Sequence, residues 1–408
     1  MTTLSASRRQ FLRALGISAA ALPGLALPGF MARAGAAPGA GHILVLIELA
    51  GGNDGLNTVI PIRDPAYRAL RPDLGITTKA AIGLDAETAL NPGLRPLADL
   101  WRKGQVRIIE GVGYPEPNRS HFRSIEIWNT GGGARSLSAT GWIAAALGRR
   151  PPGATQDVDG VVLGGEMGPL AGPGRFTVMR NPDRFVARAR RLAAVSGGEA
   201  RAVTAAASSD GAPSPLEQVL AVYESAAATS EKIRVKLARL APKAWDFPES
   251  ELGQQLHAAA RLLDAGVTVP ALKVTLGGFD THANQAGSHE MLLQDLSQSV
   301  TAFARQARRM GLWDRIVMVT YSEFGRRARQ NRSAGTDHGT AQPVLVIGGR
   351  VRGGIGGKRP SLDQLVEDDL VHTTDYRALY AGILADLWGR RDNVYSRAGH
   401  TPIPLLKA

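Results

Sequence analysis

The chain contains no cysteine among its 408 residues, and aromatic side chains make up only 5% of it. Without cysteine it cannot form a disulfide, use a thiol nucleophile or bind a metal through sulfur. A metal site in this protein has to be built from carboxylate, imidazole, amide or hydroxyl groups. The scarcity of aromatic rings also argues against a base-stacking surface, so we expect no nucleic-acid partner.

Basic residues outnumber acidic ones by 48 to 36, which gives a formal net charge of +12. The first 34 residues carry four arginines and no acidic residue, so the rest of the chain is less basic than this total implies. The remaining positive charges are scattered along the chain. The use of arginine in place of lysine in a soluble protein explains this charge best, although such a surface could also favour an anionic small-molecule or polymer ester as a substrate.

The first residues have the form of an export signal. Residues 7–13 read SRRQFLR, in which Arg8 and Arg9 form the pair typical of twin-arginine signals. Residues 32–34 read ARA, a small-x-small cleavage site, and prolines interrupt the intervening apolar run. We therefore predict a signal peptide at 1–34, the twin-arginine (Tat) translocase as a partner during export, a periplasmic or secreted location and no stable membrane span after cleavage. The alternative is an N-terminal anchor that is never cut.

Apolar runs alternate with amphipathic segments along the rest of the chain. Strands are predicted at 42–50, 105–112, 158–163, 175–179, 271–276, 316–321 and 343–347. Helices are predicted at 91–103, 120–129, 182–194, 216–240, 252–265, 291–310 and 375–388. This alternation predicts a single α/β domain over residues 35–408, with three layers, a mostly parallel sheet and a helical insertion around 183–265.

Side chains with oxygen or imidazole donors lie where predicted strands end or begin. In a mostly parallel sheet such positions meet at the carboxyl edge, where ligands bind. The predicted metal ligands are Asp54, Asp280, His282, Glu323, Asp337 and His338. This carboxylate-rich set suits divalent Ca²⁺, Mg²⁺, Mn²⁺ or Zn²⁺. Two such ions, about 4 Å apart, would clamp the attacking and leaving oxygens of a phosphoryl or sulfuryl transfer.

Five short motifs, at residues 49–57, 118–122, 278–282, 322–326 and 335–339, together resemble the exported bacterial family called domain of unknown function 1501 (DUF1501). The resemblance runs from about residue 40 to the C-terminus. The order of the same motifs is distantly similar to that of the alkaline phosphatase and sulfatase superfamily. This second resemblance implies an alkaline phosphatase-like fold and a metal-dependent hydrolase of phosphate or sulfate esters.

The chain departs from that superfamily at two positions. Where the superfamily has Asp-His, this chain has Glu323 and Phe324, so one imidazole ligand is missing. The nucleophile position falls on His121, with Ser120 beside it and Ser124 about one helical turn further on. The resemblance therefore implies Ser120 and His121 as catalytic residues.

Three further residues, Asn53, Ser124 and Arg326, are predicted to contact the substrate. Arg326, Arg327, Arg329 and Arg332 follow Glu323 closely and could hold an anionic group, but for all of them except Arg326 a solvated loop is the better interpretation. The alternative function, which the missing imidazole favours, is a non-catalytic binding or assembly module that retains the fold with a degenerate metal site.

Overall fold

The computed structural model describes residues 41–136, 138–148, 155–182, 184, 185, 187, 231–240 and 245–408. The predicted signal peptide at 1–34 lies outside the described residues, and so does most of the helical insertion predicted around 183–265. Within the described part of that insertion, residues 231–237 and 251–264 are helical. No helix in these ranges is both long and apolar enough to span a membrane.

The described strands form one sheet of nine strands and a small sheet of three, β2–β4. In chain order they are β1 (Ile43–Leu49), β2 (Val59–Pro61), β3 (Ile82–Gly83), β4 (Thr88–Leu90), β5 (Val106–Gly113), β6 (Gly160–Val162), β7 (Phe176–Val178), β8 (Ala271–Leu276), β9 (Ile316–Tyr321), β10 (Gln342–Gly348), β11 (Gly354–Gly357) and β12 (Thr374–Asp375).

The helices of the described residues include two long ones and several short ones. In chain order they are α1 (Gly55–Thr58), α2 (Pro65–Leu70), α3 (Ala98–Arg102), α4 (His121–Thr130), α5 (Trp142–Leu147), α6 (Glu251–Asp264), α7 (Gln285–Arg309), α8 (Tyr376–Trp388) and α9 (Val394–Arg397). Three 3₁₀ turns, Pro92–Leu97, Gly168–Leu170 and Trp313–Arg315, complete the set.

The large sheet runs in the order β11-β5-β10-β9-β1-β8-β6-β7, and β12 also pairs with β5. Within this described sheet, β10 is antiparallel to both of its neighbours, β5 and β9, whereas the other pairs are parallel. The predicted α/β class with a mostly parallel sheet is confirmed.

Helices cover both faces of the sheet. On β1, Ile43, Val45 and Ile47 belong to a core that includes α6 and α7. The alternate residues Leu44 and Leu46 belong to a second core that includes α4, α5 and α8. Burial on both faces explains why residues 43–49 form a nearly continuous apolar run. The arrangement has the three layers that the sequence predicts.

Several predicted elements differ from the observed ones in detail. The helix predicted at 91–103 starts as the 3₁₀ turn Pro92–Leu97 and becomes α-helical only in α3, because Pro96 cannot donate a backbone hydrogen bond. The helix predicted at 291–310 begins six residues earlier, at Gln285. The small sheet β2–β4 is not among the predicted strands.

Strand direction brings several loops to one edge of the sheet. Because β1, β8 and β9 are parallel neighbours, their carboxyl ends lie together. β5 is antiparallel to β10, and β10 is antiparallel to β9, so β5 also ends at this edge and β10 begins there. Three segments therefore converge: the one from β5 to α4, the loop after β8 and the loop that joins β9 to β10.

Candidate metal centre

Four side chains from three of these loops meet at the carboxyl edge. His121 is the first residue of α4, Asp280 and His282 follow β8, and His338 precedes β10. Ligand atoms of His121, Asp280 and His338 all lie within 4.8 Å of one another. His282 adjoins them, with its Nε2 3.0 Å from Asp280 Oδ1 and 2.9 Å from His338 Nε2.

His338 and His282 are each held from behind through Nδ1. His338 Nδ1 lies 2.9 Å from the carbonyl oxygen of Arg119, and His282 Nδ1 lies 3.1 Å from Asp337 Oδ1. A carbonyl can only accept a hydrogen bond, so Nδ1 of His338 donates. In the neutral ring this leaves Nε2 of His338 with a lone pair that points towards His282 and Asp280.

His121 is held in the same way by Glu323. Its Nδ1 lies 2.8 Å from Glu323 Oε1, while its Nε2 lies 3.5 Å from Asp280 Oδ2. The Glu323 side chain is only 6% exposed. It also accepts hydrogen bonds from the Gly51 amide at 2.9 Å and the Ser322 hydroxyl at 3.0 Å. Glu323, predicted as a metal ligand, therefore contacts the back of His121.

Asp280 supplies the negative charge at the centre of the group. Partial burial raises the pKa of its carboxyl, but the hydrogen bond from Arg326, the contact with His338 and the charge of Arg326 outweigh that effect and lower the pKa to about 2. The carboxylate is consequently ionised at neutral pH. Its side chain is 48% exposed, so the centre is open to solvent.

These residues fit a bound cation. Each of the three imidazoles donates a hydrogen bond from Nδ1: His121 to Glu323, His282 to Asp337 and His338 to the Arg119 carbonyl. The Nε2 atom of each ring therefore presents a lone pair towards Asp280. Two such lone pairs repel at the 2.9 Å that separates His282 from His338. A cation among them removes that repulsion, and metal-binding histidines are typically held by an acceptor at the other ring nitrogen.

A family model described as "Protein of unknown function (DUF1501)" matches residues 113–404. The chain belongs to the DUF1501 family. The predicted family is thereby confirmed, and the matched range contains all four residues of the group. It begins after Asn53 and Asp54, which lie outside it.

Comparisons with other known proteins give distant likenesses. A search of the curated proteins found no match. The crystal structure of Ps i-CgsB is similar at 10% identity over 89% of this chain and 74% of that one, with a TM-score of 0.41. Its complex with k-i-k-neocarrahexaose gives 11% identity, the same coverage and a TM-score of 0.39. A protein in the alkaline phosphatase superfamily from Vibrio parahaemolyticus gives 10% identity over 85% of this chain and 66% of that one, with a TM-score of 0.36.

In this DUF1501 protein the ring of Phe324 lies against the imidazoles. Its centroid is 4.9 Å from that of His121 and 4.5 Å from that of His338, and the side chain is buried. Gly52 approaches the same ring so closely that a Cβ there would stand 2.4 Å from Phe324 Cε2, and its φ is +86°. The position that lacks the expected imidazole therefore supplies an apolar floor, and Gly52 has to be glycine.

Arg326 is predicted to contact the substrate, but the structure buries it completely. Its Nη2 lies 2.6 Å from Asp280 Oδ1. Its other hydrogen bonds go to Nε2 of His282 and to the backbone carbonyls of Gly51, Gly52, Phe279 and Thr336. Because its donors are all used within the protein, Arg326 joins three loops together and is not accessible to a substrate.

Asp54 is predicted as a metal ligand, but the structure pairs it with Arg71. Both side chains are fully buried, and two guanidinium nitrogens lie 2.5 and 3.0 Å from the two carboxylate oxygens. Gln285 donates a further hydrogen bond to Asp54. Burial raises the pKa of Asp54, but the charge and hydrogen bonds of Arg71 outweigh it and hold the pKa below its usual range. With both oxygens occupied, Asp54 is a structural residue.

Asn53 and Ser124, both predicted to contact the substrate, are also buried. Asn53 Oδ1 lies 3.0 Å from both the Thr58 hydroxyl and Nε2 of His289. Ser124 donates to the backbone carbonyl of Asn118. These contacts correct the prediction, because neither side chain reaches solvent.

The two predicted catalytic residues face different surroundings. His121 belongs to the group around Asp280, whereas Ser120 is exposed at the N-cap of α4 and its side chain does not cap the helix. Among the described residues, the Ser120 hydroxyl has no hydrogen-bonding partner. Asp337, a predicted ligand, contacts the back of His282 instead of the centre.

The group also includes contributors that are absent from the predicted site residues: the Arg119 carbonyl and the Phe324 ring. Both stand inside the motifs at 118–122 and 322–326, so the motifs mark the right segments. A carbonyl that orients a histidine has no sequence signal of its own, since every residue carries one.

Proposed function

We propose that this protein is a metal-dependent hydrolase of phosphate or sulfate esters. The observation that carries the proposal is the convergence of three imidazole Nε2 atoms on the ionised carboxylate of Asp280. The exposed fractions of the Asp280 and His282 side chains, 48% and 44%, leave room for a substrate to reach the group. A divalent cation bound there supplies a Lewis acid that polarises an ester oxygen.

The residues around the centre have separate tasks in this proposal. Glu323 keeps His121 oriented through Nδ1, and the Phe324 ring excludes water from the inner side of the imidazoles. The free N–H groups at the start of α4 favour the anionic phosphate or sulfate group. Ser120, exposed at that same helix start, is the proposed nucleophile.

We also propose that residues 1–34 direct export through the Tat translocase, so that the protein acts in the periplasm or outside the cell. The paired Arg8 and Arg9 support this proposal. Changing both to lysine, in cells that express the full chain, should leave the precursor in the cytoplasm. Fractionation and immunoblotting measure this, and unchanged export of the variant would contradict it.

Turnover of an aryl phosphate and an aryl sulfate by the metal-loaded protein tests the hydrolase proposal. We expect turnover by the unmodified chain, and loss of turnover in Asp280→Ala and His338→Ala. His257→Ala is the matched control, because His257 lies on α6 and packs against Trp245 and Phe247. Variants that bind no metal yet retain full turnover would contradict the proposal.

The second candidate is a binding or assembly module, which Phe324 in place of an imidazole favours. It predicts that the protein binds a metal ion but turns over neither ester. The same assay, combined with metal analysis of the same sample, separates the two candidates.

A further inference from the structure

We infer that the centre binds one transition-metal ion of the zinc class through four protein atoms: Nε2 of His121, His282 and His338 and a carboxylate oxygen of Asp280. Glu323 and Asp337 hold two of the rings from behind and do not bind the ion. This inference rests on the proposed function only in that both use the same site. It differs from the carboxylate-rich, two-ion site that the sequence predicts.

The first argument is the direction of the rings. Each of the three imidazoles has an oxygen at Nδ1, at 2.8, 3.1 or 2.9 Å. Carboxylates and carbonyls at this position fix the tautomer with Nδ1 protonated and Nε2 free to bind a metal. Three rings held in this way, all turned towards one carboxylate, make a nitrogen-rich site.

The second argument is the contact between Arg326 and His282. Nη1 of the Arg326 guanidinium lies 3.4 Å from Nε2 of His282. A guanidinium can only donate hydrogen bonds, so this Nε2 accepts and carries a lone pair, in agreement with the hydrogen bond at Nδ1 of the same ring. One shared cation satisfies the lone pairs of all three rings.

The third argument is the number of available carboxylates. Ca²⁺ takes six to eight oxygen ligands, and Mg²⁺ requires six at short distances. Among the predicted carboxylate ligands, Asp54 is bonded to Arg71, Glu323 to His121 and Asp337 to His282. Asp280 is bonded to Arg326 through Oδ1, and its Oδ2 faces Nε2 of His121 and remains to bind a cation. Three imidazoles and one carboxylate suit zinc-class ions, not calcium or magnesium.

The shortage of free carboxylates also limits the site to one ion. A second ion needs its own ligands, and the predicted acids that would supply them are already bonded to Arg71 and to two histidines. Glu323 and Asp337 act on the first ion indirectly, because a carboxylate behind a metal-binding histidine fixes its orientation and raises its basicity.

Metal titration of the purified protein, after removal of metal with a chelator, tests the inference. Elemental analysis after dialysis gives the ions bound per chain, and the visible absorption of the Co²⁺ form reports nitrogen ligation. We expect one Zn²⁺ or Co²⁺ per chain, no displacement by millimolar Ca²⁺ or Mg²⁺, and a visible Co²⁺ spectrum that His282→Ala abolishes.

Two conservative variants distinguish Glu323 and Asp337, which hydrogen-bond Nδ1 of two imidazoles, from the four proposed ligands. In Glu323→Gln and Asp337→Asn, one ion per chain should still bind, with affinity reduced roughly 10- to 100-fold. Asp280→Asn and His338→Ala should lose much more affinity, and His257→Ala none. Circular dichroism confirms that each variant is folded. Loss of the ion in Glu323→Gln as complete as in His338→Ala would make Glu323 a ligand and overturn the assignment.

Three other results would also overturn the inference: two ions per chain, tighter binding of Ca²⁺ or Mg²⁺ than of Zn²⁺, or a folded protein that binds no divalent ion. Binding of Zn²⁺ without turnover of either ester leaves the inference standing and removes the hydrolase proposal. Turnover that Ca²⁺ alone supports would overturn the inference and leave the hydrolase proposal standing.

Discussion

Glu323 hydrogen-bonds His121 across 202 residues of sequence, with 2.8 Å between Oε1 and Nδ1. The pair joins the loop after β9 to the first turn of α4 and turns Nε2 of His121 towards Asp280. Glu323, a predicted metal ligand, therefore orients the imidazole of His121, which is itself a proposed ligand. His121 stands at the position where the superfamily resemblance implies the nucleophile.

The buried pair of Asp54 and Arg71 should be important for stability and unimportant for the metal. Arg71→Met leaves the Asp54 carboxylate buried without its partner, so we expect a loss of about 3–5 kcal/mol in the free energy of unfolding. Urea denaturation measures it. Arg102→Ala is the control, because its ion pair with Asp99 is exposed and such pairs contribute about 0–1 kcal/mol. Equal losses in the two variants would contradict the assignment, as would loss of Zn²⁺ binding by folded Arg71→Met.

The floor of the centre should contribute to stability through packing. Phe324 is 2% exposed, so we expect Phe324→Ala to lower the free energy of unfolding by about 3–5 kcal/mol. Phe122→Ala is the matched control, since Phe122 is 88% exposed and its loss should change stability by about 0.5 kcal/mol or less. Thermal unfolding of both variants measures the difference. A Phe324→Ala protein as stable as Phe122→Ala would show that the ring does not support the imidazoles.

The buried His289 should make the protein less stable as the pH falls. Burial lowers the pKa of His289 from 6.5 to about 4; the charge of Asp54 opposes this shift, and the charges of Arg71 and Arg326 add to it. Between these pH values the unfolded chain binds a proton at this residue and the folded chain does not. Stability is therefore retained above pH 6.5 and is lost as the pH falls, by up to about 3 kcal/mol near pH 4.

Urea denaturation between pH 7 and pH 4 measures this effect as the difference between the unmodified chain and His289→Gln. Gln cannot titrate in this range and keeps an N–H donor for Asn53. We expect the variant to lose less stability on acidification than the unmodified chain. Parallel curves for the two proteins would rule out His289 as a source of the pH dependence.

Ser120 should be required for turnover and dispensable for metal binding. If its hydroxyl attacks the ester, Ser120→Ala should lower kcat roughly 10³-fold or more, while the affinity for Zn²⁺ stays the same. Ser120→Thr keeps a hydroxyl and serves as the control. Unchanged turnover in Ser120→Ala would assign the attack to a water molecule instead.

The sequence predicts the segments of the site better than the role of each side chain. Asp280, His282 and His338 come together as predicted, because parallel strands end at one edge and motifs at strand ends must meet there. The partner of Asp54 could not be predicted, because Arg71 directly follows α2 in a segment that carries no motif. The sequence alone also does not distinguish Glu323 from the proposed ligands. The Glu323 side chain is directed by its hydrogen bond to His121, which is 202 residues away in the sequence.

Boundaries of elements were harder to predict for local reasons. The start of α7 at Gln285 has polar and small residues without apolar periodicity, and Asn284 before it adopts a positive φ of 48°. The strands of the small sheet are two or three residues long, too short for an alternating pattern.

Arg326 bonds to carbonyls as far as 275 residues away in the sequence. Its contacts fix the loops that carry Asp280 and Thr336 without an ion, so an ion would enter a site that is already shaped. The four proposed ligands span residues 121 to 338, so the site forms only when these distant segments have folded together. Loading with metal would therefore have to follow folding of this part of the chain.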